Sequence, residues 1–91
     1  RSYGNIGVVY KNLGDYDKAL EYHNKALEIR KEVLGEKHRD TADSYSNIGA
    51  VYDDLGDYDK TLEYYNKAMV IFKEDWENSI LSPNELYETL R

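Results

Sequence analysis

Shifting the sequence by 42 positions lays Ser2–Leu34 over Ser44–Trp76 without a gap, and 22 of the 33 aligned pairs are identical. The units read SYGNIGVVYKNLGDYDKALEYHNKALEI and SYSNIGAVYDDLGDYDKTLEYYNKAMVI. One supersecondary element is therefore written twice. Such an element buries its apolar side only by stacking on a neighbour, so the repeat restricts the chain to an array architecture.

Within a unit, Tyr3, Ile6, Gly7, Tyr10 and Leu13 recur at intervals of three and four, the stripe of a helix that runs to about Leu13. Gly14 can take the left-handed conformation that ends it, and Asp15 can cap the next helix. The second helix carries Ala19, Leu20, Tyr22, His23, Ala26, Leu27, Ile29, Val33 and Leu34, with no breaker before Gly35, which is about five turns. Gly7 and Gly49 in mid-helix cost about 1 kcal/mol each against Ala, a penalty expected where a neighbouring helix comes close. Ala19, Ala26 and Ala68 suit the same packing, and Tyr10, Tyr16, Tyr52 and Tyr58 are expected to fill the remaining space.

The fold expected is all-α, two helix-turn-helix hairpins followed by a C-terminal capping helix. Its parts are a first repeat (1–34), a linker turn (35–40), a second repeat (41–76), a second linker (77–82) and a final helix (83–91). Asp40, with Asp43 three residues on, is expected to cap the third helix. Ser82-Pro83-Asn84-Glu85 is a capping box with Pro at the first helical position, flanked by Leu81 and Leu86 as a hydrophobic staple. Ser82, Glu85, Tyr87 and Leu90 lie 42 residues after Asp40, Asp43, Tyr45 and Ile48, so this last helix occupies the first-helix slot of a third repeat.

Composition excludes several kinds of chemistry. With no cysteine among 91 residues, disulfides, thiol redox chemistry and cysteine-ligated metals are impossible, which fits a reducing, cytoplasmic setting. Twelve Lys and Arg against 18 Asp and Glu leave a charge of −6 that repels phosphate backbones and anionic lipid headgroups, so neither nucleic acid nor membrane is expected as a partner. No segment approaches the apolar length of a membrane span, and Arg1–Asn5 lacks the apolar core of a signal peptide. No metal or other cofactor is expected. Asp15-Tyr16-Asp17 and Asp57-Tyr58-Asp59 lack the Gly and Glu spacing of a calcium loop and read as helix caps. His23 reads as core packing, and no phosphate-cradling glycine loop or Ser, His and acid set is present, so the chain is not expected to be an enzyme.

The order Tyr3, Ile6-Gly7, Tyr10, Gly14-Asp15-Tyr16, Ala19, His23, Ala26-Leu27, repeated as Tyr45, Ile48-Gly49, Tyr52, Gly56-Asp57-Tyr58, Thr61, Tyr65, Ala68-Met69, resembles the tetratricopeptide repeat signature. The period of 42 and the linker Leu34–Ala42 look like the long repeats of kinesin light chain and nephrocystin-type proteins. Lys31 stands where the ordinary 34-residue repeat has a helix-ending Pro, and Arg39 where the linker of the long repeats carries Pro. The resemblance implies an α-solenoid whose first helices line a concave groove.

By that resemblance Asn5, Val8, Lys11 and Asn12 of the first unit, with Asn47, Ala50, Asp53 and Asp54 of the second, would line the groove, accompanied by Gly4 and Ser46. Asn5 and Asn47 are the leading candidates, because an amide offers both a donor and an acceptor to the backbone of an extended peptide. Lys11 and Arg1 alone are too few cations for a clamp on a terminal carboxylate. Asp53 and Asp54 favour a partner bearing Lys or Arg.

The function expected is non-catalytic binding of a peptide segment of a partner protein in that groove. The alternative is a structural, self-associating module acting as a scaffold, a homodimer formed by stacking or by domain swapping through the Gly35–Asp40 turn. The Arg1 end has no polar cap over its apolar face, which favours that alternative, while the abrupt start at Arg1 suggests a chain cut from a longer array.

Overall fold

The computed structural model of this protein describes residues 2–80. It contains helices α1 (Tyr3–Asn12), α2 (Tyr16–Val33), α3 (Arg39–Leu55) and α4 (Tyr58–Ile80), with no strand among the described residues. Each helix packs on the one before it, and α1 also touches α3. The result is the all-α pair of hairpins that the repeat requires. The final helix expected over 83–91 lies outside the described residues.

The two hairpin turns are built alike because their sequences are alike. Gly14 and Gly56 adopt φ of 83° and 80°, the left-handed conformation that closes a helix C-terminus. Asp15 and Asp57 then accept bonds from the amides of Lys18 and Lys60, both at 3.3 Å, and so start α2 and α4. The aspartates read as caps are caps.

Two boundaries differ from expectation. His38, rather than Asp40, caps α3: its Nδ1 accepts from the Asp40 amide at 3.0 Å, and Arg39 and Asp40 join the first turn instead of the linker. The turn before it is held by the Thr41 hydroxyl, which donates to the Gly35 carbonyl at 2.7 Å. At the other end, residues 77–80 continue α4 where a linker is expected. The physical reason is local. Gly35, at φ 101°, lets α2 stop and turn, whereas its counterpart 42 residues on is Glu77, a good helix former.

The core lies between the hairpins. Leu27, Ala42, Tyr45, Ile48, Ala68 and Ile71 form one buried cluster, with Leu20, Tyr52, Tyr64 and Phe72 packed against it. Within each hairpin a tyrosine of the second helix lies between two of the first. Tyr22 stacks on Tyr3 and Tyr10 with centroids 6.0 and 5.5 Å away, and Tyr64 meets Tyr45 and Tyr52 at 6.2 and 5.7 Å. Lys25 and Lys67 sit over these rings, adding cation–π attraction. Tyr22 and Tyr64 fill this space, whereas Tyr58, expected to do so, is 64% exposed at the start of α4.

Arg30 joins the hairpins. One nitrogen of its guanidinium donates to the Asp40 carbonyl at 3.0 Å and to the Ser44 hydroxyl at 2.9 Å, tying the end of α2 to the start of α3. Nearby, the buried Tyr45 hydroxyl donates to the Glu36 carboxylate. Burial first, and then that hydrogen bond, hold the Tyr45 phenol well above its ordinary pKa, so it stays protonated as a donor.

Candidate functional site

Asn5, Val8 and Asn12 follow one another at three and four residues along α1, and Asn47, Ala50 and Asp54 do the same along α3. Asn5, Val8 and Asn12 are exposed, as are Asp53 and Asp54, while Asn47 and Ala50 are half-buried. Periodicity is the cause: these positions fall on the side of each helix away from its hairpin partner. The structure puts the helices that carry them directly beside each other.

One contact crosses from helix to helix at this surface. Lys11 Nζ lies 3.1 Å from the Asp54 carboxylate, with the two side chains 27% and 35% exposed. The pairing changes the electrostatics expected from sequence. Aligning the units sets Lys11 against Asp53, but stacking sets it against Asp54. The lysine is therefore engaged, and Asp53 carries the open negative charge at this end of the surface.

Among the described residues the Asn5 and Asn47 side chains make no hydrogen bond to the protein. An asparagine serving its own helix would bond a nearby backbone group. Both amides instead retain their donors and acceptor. Gly4, expected beside them, is buried and turned towards α2, where a Cβ would lie 3.9 Å from an Arg30 nitrogen. It does not line the open surface, because it sits one position back on the helix, over the neighbouring hairpin arm.

His23 is elsewhere, 1% exposed beneath α1, and neither ring nitrogen has a hydrogen-bond partner. Burial, with smaller contributions from the positive charges of Arg30 and Lys11, lowers its pKa below 6.5 and favours the neutral ring. It packs as a nearly apolar ring. His38 caps α3. No group of three or more His, Cys, Asp or Glu placed to hold a metal ion occurs among the described residues. No helix among them is long and apolar enough to cross a membrane.

Comparison with known proteins adds one finding. The family model described as tetratricopeptide repeat matches residues 1–74, both hairpins up to the middle of α4's second half. No curated protein matches the sequence.

Proposed function

The chain belongs to the tetratricopeptide repeat family, and from that premise we propose that it is a non-catalytic module holding a peptide segment of a partner protein on its α1–α3 surface. Repeats of this family generally mediate protein–protein interaction and are not catalytic. The observation that carries the reading is the pair of unengaged amides, Asn5 and Asn47, one period apart on adjacent first helices. Each can hold one peptide unit by donating to its carbonyl and accepting from its N–H, irrespective of the peptide's side chains. Side-chain preference would come from Val8 and Ala50, which offer apolar contact, and from Asn12 and Asp53.

The surface is short. Two neighbouring helices, each about 10 Å wide, make a surface roughly 20 Å across, enough for about six residues of extended chain. Affinity per copy is therefore modest. The open charge of Asp53, with the overall charge of −6, favours segments carrying Lys or Arg and disfavours phosphate-bearing partners.

Peptide-library selection against the chain, run beside the Asn5→Ala, Asn47→Ala double variant, tests the proposal. Enriched peptides with a shared motif, lost by the variant while its helical content and melting temperature stay unchanged, are the expected result. Peptides bound equally well by the variant would remove the amides from recognition.

A further inference from the structure

Leu13 and Leu55 hold the same place in their units, each directly before the left-handed Gly of a hairpin turn. The core uses neither, for Leu13 is 73% exposed and Leu55 48%. Nor do the turns need them. Gly14 and Gly56 close each helix with backbone bonds, such as that from the Asp15 amide to the Tyr10 carbonyl at 2.9 Å. Stacking of the units brings the two leucines to one place. Leu55 faces the first turn, where with Leu13, Gly14, Asp15, Tyr16 and Asp17 it lines a hollow of about 410 Å³. The hollow lies on the edge of the array that the turns form, at the junction between the units. Both units that bound it are present, so the junction itself leaves it open. Further units stacked before or after these two would extend the edge without covering it.

Negative charge surrounds this apolar floor. The first turn carries Asp15 and Asp17, and Asp53–Asp59 adds Asp53, Asp54, Asp57 and Asp59 with no Lys or Arg between them. Among the described residues, Asp54 alone of these six is in an ion pair, with Lys11. The lysines next along the chain are turned to aromatic rings: Lys18 Nζ lies 5.3 Å from the centre of Tyr10 and Lys60 Nζ 5.1 Å from that of Tyr52.

We propose that this turn edge docks a basic segment of a partner protein. An apolar side chain of the segment sits on Leu13, Leu55 and Tyr16, and Lys or Arg on either side of it meets Asp15, Asp17, Asp57 and Asp59. An exposed apolar patch with a charged rim is suited to such a contact. Charge selects the occupant. The residues after Ile80 carry Glu85 and Glu88 against Arg91, and a second copy carries −6, so each would bring negative charge to a negative edge. Anionic lipid and nucleic acid are repelled in the same way. The proposal is independent of the reading of the α1–α3 surface, since Leu13 lies about 12 Å of helix beyond Asn5. The seat is shallow, so binding is weak and salt-sensitive.

Heteronuclear amide NMR at low salt tests this with a synthetic peptide holding one Leu between two pairs of Lys. Amide shifts should concentrate at Leu13–Asp17 and Leu55–Asp59 and leave Asn5 and Asn47 in place. Replacing the peptide's Leu by Ser should weaken binding about fivefold. Leu13→Ser with Leu55→Ser should do the same, with far-UV circular dichroism as the check on folding, because both side chains are exposed. Asp17→Asn with Asp59→Asn should weaken binding about fivefold at low salt and have no effect in about 0.5 M salt. Asn5→Ala with Asn47→Ala should bind as the parent does, which separates this site from the α1–α3 surface. No shifts at millimolar peptide would overturn the proposal, and so would shifts centred on Asn5 and Asn47. Binding indifferent to Leu on both sides would overturn it too, reducing the contact to charge attraction without a seat.

Discussion

The backbone of Gly7 passes directly beneath the imidazole of His23: a Cβ at Gly7 would lie 2.8 Å from the ring's Cε1 and Nε2. Gly49 repeats the relationship with Tyr65, at 2.7 Å from Cδ1. The identical steric demand meets different freedom. His23 is 1% exposed and fixed from both sides, whereas Tyr65 is 39% exposed and can swing towards solvent. Gly7→Ala is therefore expected to cost about 2 kcal/mol, overpacking outweighing the roughly 1 kcal/mol gained in helix propensity. Gly49→Ala should fall within about 0.5 kcal/mol of the parent, because the two effects offset when the ring moves. Urea denaturation of both variants decides it, and equal losses would show that Tyr65 is as confined as His23.

His23 also makes stability depend on pH. Its folded-state pKa is lowered from 6.5, chiefly by burial. As pH falls through about 6.5 the unfolded chain takes up a proton that the folded chain refuses, so stability is full above that pH and declines below it towards the folded-state pKa. His23→Phe should remove this decline below about pH 6.5. It should also add about 1 kcal/mol at neutral pH by removing two buried nitrogens without partners. Denaturation midpoints across that range provide the test, and an unchanged slope in the variant would place the titration elsewhere.

Arg30 ties the hairpins through a part-buried, charge-assisted pair of bonds, so Arg30→Met should cost about 2 kcal/mol, lowering the melting temperature by roughly 10 °C. Arg30→Lys should recover little, since an ammonium on a flexible stem does not reproduce the planar guanidinium. Thermal melts monitored by circular dichroism check both, and full recovery with Lys would reduce the contact to charge alone.

The Lys11–Asp54 pair holds one carboxylate of the candidate surface out of play. Lys11→Ala leaves Asp54 unpaired beside Asp53, and binding of Lys- or Arg-bearing peptides should tighten by about threefold at low salt. In 0.5 M salt the gain should vanish, because such partly exposed charges are screened over a few ångströms. Fluorescence anisotropy with peptides from the selection measures it. Weaker binding on losing Lys11 would mean that the lysine itself contacts the peptide.

What could be read in the sequence was local and repeated. Gly14-Asp15 and Gly56-Asp57 mark the hairpin turns because a left-handed Gly and a side-chain cap act within five residues, and the apolar intervals mark helix faces whatever lies opposite. The failures were of two kinds. His38 took the cap expected of Asp40 because the turn held by Thr41 and Gly35 starts the helix earlier. The Lys11–Asp54 pair runs between units and was hidden by aligning them, although opposite charges at 11 and 53–54 were its trace. Asn5 and Asn47 were named from a resemblance, and the structure contributes their unengaged amides.

The sequence by itself determined that two copies of one hairpin form and which face of each helix is apolar, because propensity, capping and periodicity belong to each unit alone. Tertiary structure decided which copies of those faces are buried. Tyr45 is 5% exposed and Tyr3 40%, Leu27 6% and Met69 67%, in units that read almost identically. Burial is a property of the junction between units. The described residues contain one junction between units, so of two equivalent residues one lies in that junction and the other outside it.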